Sequence, residues 1–177
     1  MGTKCTYKNG HQVFSGKSMF ISGGGITENA TIVNSTDETV LLTDTLSVVP
    51  ETGFQFKITL AGSISSDGTD DLTLQLRWGT TDILAFTTVS YPNEDDKAFY
   101  LEIVGRIHTV GSSGKVVAGG KLHMEATGMS TQVKTTAAAG VTADTSAGAA
   151  LDITGQFDGA NADSDILVHT AIIEYMN

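Results

Sequence analysis

The stretch Ile58-Thr-Leu-Ala-Gly-Ser-Ile64 places large apolar residues at every second position and then a glycine where the next one should fall. The same pattern recurs in Leu101-Glu-Ile-Val-Gly-Arg-Ile107 and Leu151-Asp-Ile-Thr-Gly-Gln-Phe157. A period of two is typical of a strand with one buried face. A glycine on that face lets the backbone bend or be approached closely. We therefore interpret the glycine of each motif as a bending point in a long core strand: Gly62, Gly105 and Gly155.

Composition favours a single all-β domain. At 177 residues the chain is long enough to bury one sizeable core. Charged residues make up only 17% of the chain, while threonine is abundant and glycine reaches 20 residues. Threonine suits a pleated, half-buried surface, and glycine supplies turns and bulges, so this composition indicates strands joined by tight turns.

Alternation of apolar and polar residues continues from Ala30 to Tyr175, and turn residues interrupt it at short intervals. This spacing is typical of an antiparallel sandwich or barrel. The alanine-rich segment 137–150 has no apolar stripe, so we expect no helix there or elsewhere in the domain, which spans 29–177. The predicted strands are 30–34, 39–48, 53–65, 71–78, 82–89, 98–110, 115–126, 131–136, 149–157 and 165–175.

Each glycine motif is expected to begin a β-hairpin, because a polar turn and a second alternating strand follow it. With a turn at 111–114, parity places Gly105 opposite Gly120 and His123 opposite Glu102 on the outer face. In this register one face stays apolar throughout. The residues expected in the core are Phe56, Ile58, Leu60, Leu74, Leu76, Leu101, Ile103, Leu122, Ile153 and Val168.

Residues 1–28 differ from the rest of the chain in pattern and in charge. They lack a sustained period, end near the glycine run 23–25 and carry three lysines without an acid before Glu28. Residues 1–27 therefore carry +3 of the formal charge of −10, and the remainder carries −13. We interpret the segment as an N-terminal arm and linker that docks on a partner through basic and apolar side chains. The predicted partner-binding residues are Lys4, Tyr7, Lys8, Phe14, Lys17, Met19 and Phe20.

Charge and pattern exclude several classes of protein. A net charge of −10 is unfavourable for nucleic-acid binding, which depends on clustered Lys and Arg. Cys5 is the single cysteine, so no intrachain disulfide is possible. Without a secretory signal pattern or an apolar run near the ~20 residues of a membrane helix, we expect a soluble protein made in a cytosol. The start Met-Gly-Thr-Lys-Cys-Thr fits a loose acylation pattern. We interpret Gly2 instead as an ordinary small residue after the initiator methionine.

The sequence contains no recognisable catalytic pattern. Its four histidines are scattered without metal-ligand spacing, and Cys5 lies in the predicted arm without a partnered base. We therefore expect neither enzyme activity nor a cofactor. The acidic turns 67–71, 93–96 and 158–165 lack a full set of calcium ligands, and the last has no bidentate glutamate at its end, so we interpret them as solvated hairpin tips. A sugar-stacking platform needs aromatic side chains that lie together. The candidates do not cluster in the sequence: Trp78, Tyr91, Tyr100 and Tyr175.

The C-terminal stretch VTADTSAGAALDITGQFDGANADSDILVHTAIIEYMN, Val141 to Asn177, resembles the ending of β-sandwich modules in tailed-bacteriophage virions. Those modules have a Val-x-x-Asp-Thr segment, a leucine-alternating strand, a small polar hairpin and a final apolar strand. The opening TYKNGHQVF, Thr6 to Phe14, also resembles the start of virion proteins.

This resemblance implies a jelly-roll-like sandwich, commonly a homotrimer, that binds to or projects from the particle. We therefore expect a non-enzymatic capsid decoration or cement protein whose partner is the major capsid protein or another virion component. Two alternatives remain open. One is a receptor- or glycan-binding head or tail fibre domain, and the other is a small hydrolase with coupled His and carboxylate groups in a pocket.

Overall fold

The computed structural model describes residues 5–8, 11–14, 19–22, 31–33, 35–46, 50–88 and 92–176. Within these ranges the regular secondary structure consists of β-strands, without a helix. The strands are β1 Cys5–Lys8, β2 His11–Phe14, β3 Met19–Ser22, β4 Thr31–Val33, β5 Thr39–Thr45, β6 Gln55–Asp67, β7 Leu72–Trp78, β8 Thr81–Thr87, β9 Asn93–Thr109, β10 Gly114–Met124, β11 Gln132–Thr135, β12 Val141–Ala143, β13 Ala150–Phe157 and β14 Asp165–Met176.

Two antiparallel sheets form the sandwich. The large sheet has the strand order β11-β10-β9-β6-β14-β3, with β12 paired to β10 and β4 paired to β14. The small sheet has the order β5-β13-β7-β8, and β1 pairs with β2 in a separate ribbon. The chain passes repeatedly between the two sheets, from β5 to β6 to β7 and from β13 to β14. The predicted all-β, jelly-roll-like antiparallel sandwich is therefore confirmed.

The ten predicted strands are all present, although their ends differ and β9 begins at Asn93 rather than near residue 98. Four further strands were not predicted: β1, β2, β3 and β12. Each has only three or four residues, which is too short for alternation to be recognised.

The core lies between the inner faces of the two sheets. Along β7 the burial alternates strictly, with Leu72, Leu74, Leu76 and Trp78 directed inward. The ten residues predicted for the core are each no more than 1% exposed, so that prediction is confirmed. Burial of these large side chains is the main source of stability in such a sandwich.

The core glycines make room for large side chains. Gly105 lies opposite Phe56 across the β6–β9 pair, and a Cβ at Gly105 would overlap the Phe56 ring. Gly62 lies opposite Phe99 in the same pair, beside a bulge in β14 between Val168 and Thr170. Gly105 therefore admits an aromatic ring, while Gly62 admits the backbone carbonyl of Leu167 on the bulged strand β14 together with the Phe99 ring.

Only one of the three predicted hairpins is correct. β9 and β10 pair as expected, but β6 pairs with β9 and β14 while β7 pairs with β13 and β8. Likewise β13 lies in the small sheet and β14 in the large one. The glycine motifs at 58–64 and 151–157 thus precede crossings between sheets. The prediction was wrong because alternation reports which face is buried, and both sheets bury a face against the same core.

The register of the β9–β10 hairpin differs from the predicted one by two residues. Gly105 pairs with Ala118 rather than with Gly120, and Glu102 pairs with Lys121 rather than with His123. A tight turn closed by a hydrogen bond from Gly114 N to Gly111 O, followed by an irregularity between Lys115 and Val116, produces this offset. Because a shift of two residues keeps every side chain on its own face, the predicted core was unaffected.

The first strands lie in the segment predicted to be an arm. β3, Met19–Ser22, pairs antiparallel with Ile173–Met176 and so joins the large sheet beside β14. The predicted domain boundary at residue 28 stays a prediction. No helix among the described residues is long and apolar enough to cross a membrane.

Candidate interaction surface

The outer face of the large sheet is built from residues that alternate with the core positions of β14, β6, β9 and β10. Register aligns them in rows that cross the sheet. One row runs from Glu174 through Lys57 and Val104 to Gly119, and the next contains Thr59, Glu102 and Lys121. This surface combines charged, apolar and small side chains within a few strand spacings.

A charged stripe crosses four strands of this face and consists of Glu174, Lys57, Glu102 and Lys121. Lys57 Nζ lies 3.0 Å from Glu102 Oε2, and Lys121 Nζ lies 3.7 Å from Glu102 Oε1. The hydrogen bond to Glu102 raises the pKa of Lys57, while the bond from Lys57 lowers the pKa of Glu102. At neutral pH the stripe therefore carries alternating charges.

Polar contacts extend from this stripe along the outer face. The Tyr100 hydroxyl donates to Glu102 Oε2 at 3.1 Å, and Lys121 Nζ lies 5.7 Å from the centre of the Tyr100 ring. His123, predicted to face Glu102, instead pairs with Tyr100, and its Nδ1 lies 2.9 Å from the Thr131 hydroxyl. Cation–π and charge-assisted contacts of this kind hold the Tyr100 ring against the sheet.

A groove of about 270 Å³ lies next to the charged stripe. Gly119 faces outward without a side chain between Val104 on β9 and Thr135 on β11, and this gap forms part of the groove. Val117 and Arg106 also line it. Val104 is 45% exposed, and Arg106 has no ion-pair partner within the described ranges. The groove thus presents apolar walls beside a guanidinium group that is available for an anion.

Charge is distributed unevenly between this face and one end of the sandwich. Residues 29–177 contain seven Lys and Arg, of which Lys57, Arg106 and Lys121 point outward on the large sheet. The turn segments 67–71 and 158–165 and the start of β9, 93–97, together contain nine carboxylates and one lysine. They lie at the same end, because Asp165 pairs with Ser65 and Glu94 pairs with Ser66. We call this the acidic end.

The acidic turns were predicted to be solvated tips, but part of the acidic end is buried. Asp70 is only 6% exposed and accepts a hydrogen bond of 2.6 Å from the Ser164 hydroxyl, which is also buried. Asp158 Oδ1 accepts a 2.6 Å bond from Asp71 N, and Asp158 N donates to Asp71 O at 3.0 Å. These contacts tie together the two turns at which the chain crosses between sheets. Buried backbone and carboxyl groups there need partners that sequence periodicity does not reveal.

Asp67 completes the link between these turns. Hydrogen bonds from Thr69 lower the pKa of Asp67, whose Oδ2 also accepts a bond from the Asn161 amide. No group of three or more His, Cys, Asp or Glu in the described part of the chain is arranged to hold a metal ion.

The predicted partner-binding residues fall on several elements. Tyr7 and Lys8 lie on β1, Phe14 on β2, and Met19 and Phe20 on β3, where they pair with Met176 and Tyr175. Lys4 and Lys17 lie outside the described residues. The structure therefore joins two of the seven positions to the large sheet, and a common binding surface for all seven stays a prediction.

The aromatic residues considered for sugar stacking are mostly in the core. Trp78 is 2% exposed and donates from Nε1 to Asp144 O at 2.9 Å. Tyr175 is 4% exposed and packs 5.6 Å from Phe54. Tyr91 lies outside the described residues. Of the three that the structure describes, Tyr100 is the one whose ring lies partly at the surface.

Sequence reasoning missed the groove and the charged stripe. Lys57, Glu102 and Lys121 each alternate with core residues, which placed them outward, but their proximity depends on strand order and register. The outward Gly119 was a usable signal, since a glycine on an exposed strand position leaves a gap between its cross-strand neighbours.

Comparison with known proteins finds solved structures of low similarity to this chain. No protein-family model and no curated protein matches the sequence. Among solved structures, a Lotus tetragonolobus seed lectin is similar with a TM-score of 0.48 and 8% identity, covering 90% of this chain and 94% of the lectin. The PL-14 alginate lyase of Aplysia kurodai has a TM-score of 0.47 and 8% identity, with coverages of 89% and 82%. The CBM2 module of the evolved Dit of Lactobacillus casei BL23 phage J-1 has a TM-score of 0.37 and 10% identity, with coverages of 99% and 80%.

Proposed function

We propose that the chain is a non-enzymatic structural protein of a bacteriophage virion, a capsid decoration or cement protein. It binds the major capsid protein or another virion component through its N-terminal segment and associates with copies of itself. It is made in the host cytoplasm and resides in the virion. The virion-like sequences of Thr6–Phe14 and Val141–Asn177 support this proposal, together with the jelly-roll-like sandwich.

The observation that carries the proposal is the place where the N-terminal segment joins the sandwich. Met19 pairs with Met176, while Asp165, at the other end of β14, pairs with Ser65 near the acidic end. The basic segment therefore meets the sheet at the end opposite the acidic turns. The junction thus lies away from the nine carboxylates of the acidic end, and a basic segment attached there suits an acidic partner surface.

The engagement of polar side chains also supports a structural role. Asp70 and Ser164 link two turns, and Glu102 binds two lysines on neighbouring strands. His123 bonds to Thr131, and His169 Nε2 lies 3.4 Å from the Ser63 hydroxyl. These groups, which a hydrolase would use for acid–base chemistry, connect strands and turns here.

Two kinds of variant test the role of the N-terminal segment. Deletion of residues 2–16 removes Lys4 and Lys8 but retains Lys17 and β3, so the edge of the large sheet stays covered. A full-length chain with Lys4→Gln, Lys8→Gln and Lys17→Gln removes only its three positive charges. The matched control, with Thr43→Glu, Thr80→Glu and Ala85→Glu, lowers the net charge by the same amount at exposed sites of the body.

The measurement is co-sedimentation with particles that lack this protein, after circular dichroism has verified each fold. We expect the control to bind as the parent does, and both N-terminal variants to lose most of their occupancy. Undiminished binding by the deletion variant would show that the segment is not the anchor.

The alternative function is a receptor- or glycan-binding domain of a head or tail fibre. The observation that favours this alternative is the partly exposed ring of Tyr100, which lies beside Lys121 on the outer face. A glycan array probed with the parent and with Tyr100→Ala distinguishes the two. Binding of a defined glycan that this change abolishes would favour the fibre domain over the decoration protein.

A further inference from the structure

We propose that the outer face of the large sheet is a docking surface for the acidic end of a second copy of this chain. The inference deepens the self-association in the proposed function and rests on it. The docking face comprises Lys57, Arg106 and Lys121 with the apolar groove residues Val104 and Val117. This face binds the exposed carboxylates at the acidic end of the neighbouring copy.

Charge complementarity identifies the occupant. The docking face carries three basic side chains against the two acids Glu102 and Glu174, whereas the rest of residues 29–177 is strongly acidic. A partner for this face should therefore be acidic, and another copy, with nine carboxylates gathered at one end, meets that requirement. Asp95 and Asp163 are exposed there, so they are accessible to a neighbour.

The centre of the docking face has the composition of an interface core. Val104 is 45% exposed, and the outward Gly119 leaves the groove next to it for an incoming side chain or turn. Polar groups surround this apolar centre: Arg106 and Gln55 on one side and Thr135 on the other. Interfaces commonly combine such an apolar centre with a polar rim.

The two surfaces lie on different parts of the molecule, so contact between them is heterologous. Each copy can bind one neighbour through its docking face and another through its acidic end. Such head-to-tail contacts produce closed rings when the rotation between copies closes. A closed ring of three copies would be the homotrimer that the resemblance to virion modules implies.

Isolated full-length protein tests the contact without any particle. Sedimentation velocity is measured over a range of concentrations at about 0.05 M and about 0.5 M salt, because screening weakens contacts between exposed charges. The face variant carries Arg106→Gln and Lys121→Gln. The control, Thr43→Glu with Ala85→Glu, lowers the net charge equally on the small sheet. A charge-swapped variant combines Arg106→Glu and Lys121→Glu with Asp95→Lys and Asp163→Lys.

We expect the parent and the control to form the same oligomer, and the face variant to dissociate at concentrations about tenfold higher or more. The charge-swapped variant should recover the parent's oligomer, because each reversed surface again meets an opposite charge. High salt should dissociate the oligomer.

Three results would overturn the inference: a monomeric parent at low salt, a face variant with the parent's association, or a charge-swapped variant that stays dissociated. Particle binding reports separately on the proposed function. If oligomerisation fails but the N-terminal variants lose particle binding, the docking-face inference is wrong and the role of the segment stands. If the oligomer forms as expected and the N-terminal variants still bind particles, the docking face stands and the decoration role fails.

Discussion

The inner and outer faces of the large sheet share the same strands, but they differ in how they depend on register. On the inner face, a shift of two residues in the β9–β10 pair replaces one apolar neighbour by another. On the outer face, the same shift replaces His123 by Lys121 as the partner of Glu102. The inner face is therefore specified by the alternation alone, whereas the charge pattern of the outer face depends on the exact pairing of strands.

The largest expected effect separates the two faces along a single strand. Leu101 is fully buried, and its replacement by alanine should lower the free energy of unfolding by about 2–5 kcal/mol, because a buried large-to-small change leaves a cavity. Val104, three residues away, is 45% exposed. Val104→Ala should change stability by no more than about 0.5 kcal/mol. Urea unfolding followed by circular dichroism measures both, and equal losses would contradict the distinction between faces.

Two glycines give the next comparison, since one faces inward and the other outward. At Gly105 a Cβ would overlap the Phe56 ring, so Gly105→Ala should cost about 1–3 kcal/mol through overpacking. At Gly119 the nearest atom to a Cβ would be Thr135 Cγ2 at 3.1 Å, on an exposed side chain that can move. Gly119→Ala should therefore be close to neutral.

Phe56→Leu combined with Gly105→Ala serves as the control for this interpretation. A smaller side chain opposite the new methyl group should recover part of the loss, so the two changes should not be additive. Additive losses would mean that the ring of Phe56 is not what makes glycine necessary at this position.

The sequence predicted the strands and the core because both depend on local alternation. It could not assign strands to sheets: Leu74 on β7 and Leu60 on β6 alternate in the same way, but they lie in opposite sheets. The buried pair Asp70 and Ser164 was missed for a related reason. Both residues are typical of solvated turns, and only the crossing of two turns at one end brings them together out of solvent.

The candidate surface was predictable only in part. Alternation placed Lys57 and Glu102 on the outer face, but their salt bridge links β6 to β9, strands that are not consecutive in the chain. Such contacts need the sheet order, which no local pattern contains. The outward Gly119 could have indicated a gap, although the residues that form its walls come from three strands.

The third prediction concerns Tyr175, a polar group on the inner face. Burial, together with the neighbouring Asp44, raises the pKa of its hydroxyl, which donates to Asp44 Oδ2 at 2.9 Å. The unfolded chain loses this proton near pH 10 while the folded chain retains it, so stability should fall as the pH rises above about 10. Tyr175→Phe should cost about 0.5–1.5 kcal/mol at neutral pH and reduce the alkaline loss. Unfolding experiments between neutral and alkaline pH measure both effects, and an unchanged alkaline slope in the variant would contradict the assignment.

The smallest expected effect lies on the outer face, at Glu102. Its pKa is lowered mainly by the hydrogen bond from Lys57. The contribution of Glu102 to stability is therefore present above the pKa of the unfolded chain, near 4.3, and is lost as the pH falls through the folded-state pKa. This acid dependence has the opposite sign to the alkaline loss at Tyr175. Glu102→Gln should move the urea midpoint only slightly, because exposed ion pairs contribute little and salt screens them. The urea midpoint of the parent should approach that of the variant as salt is added or the pH is lowered. A large loss that persists at high salt and low pH would mean that the stripe holds the strands together, and that the outer face is as essential to the fold as the inner one.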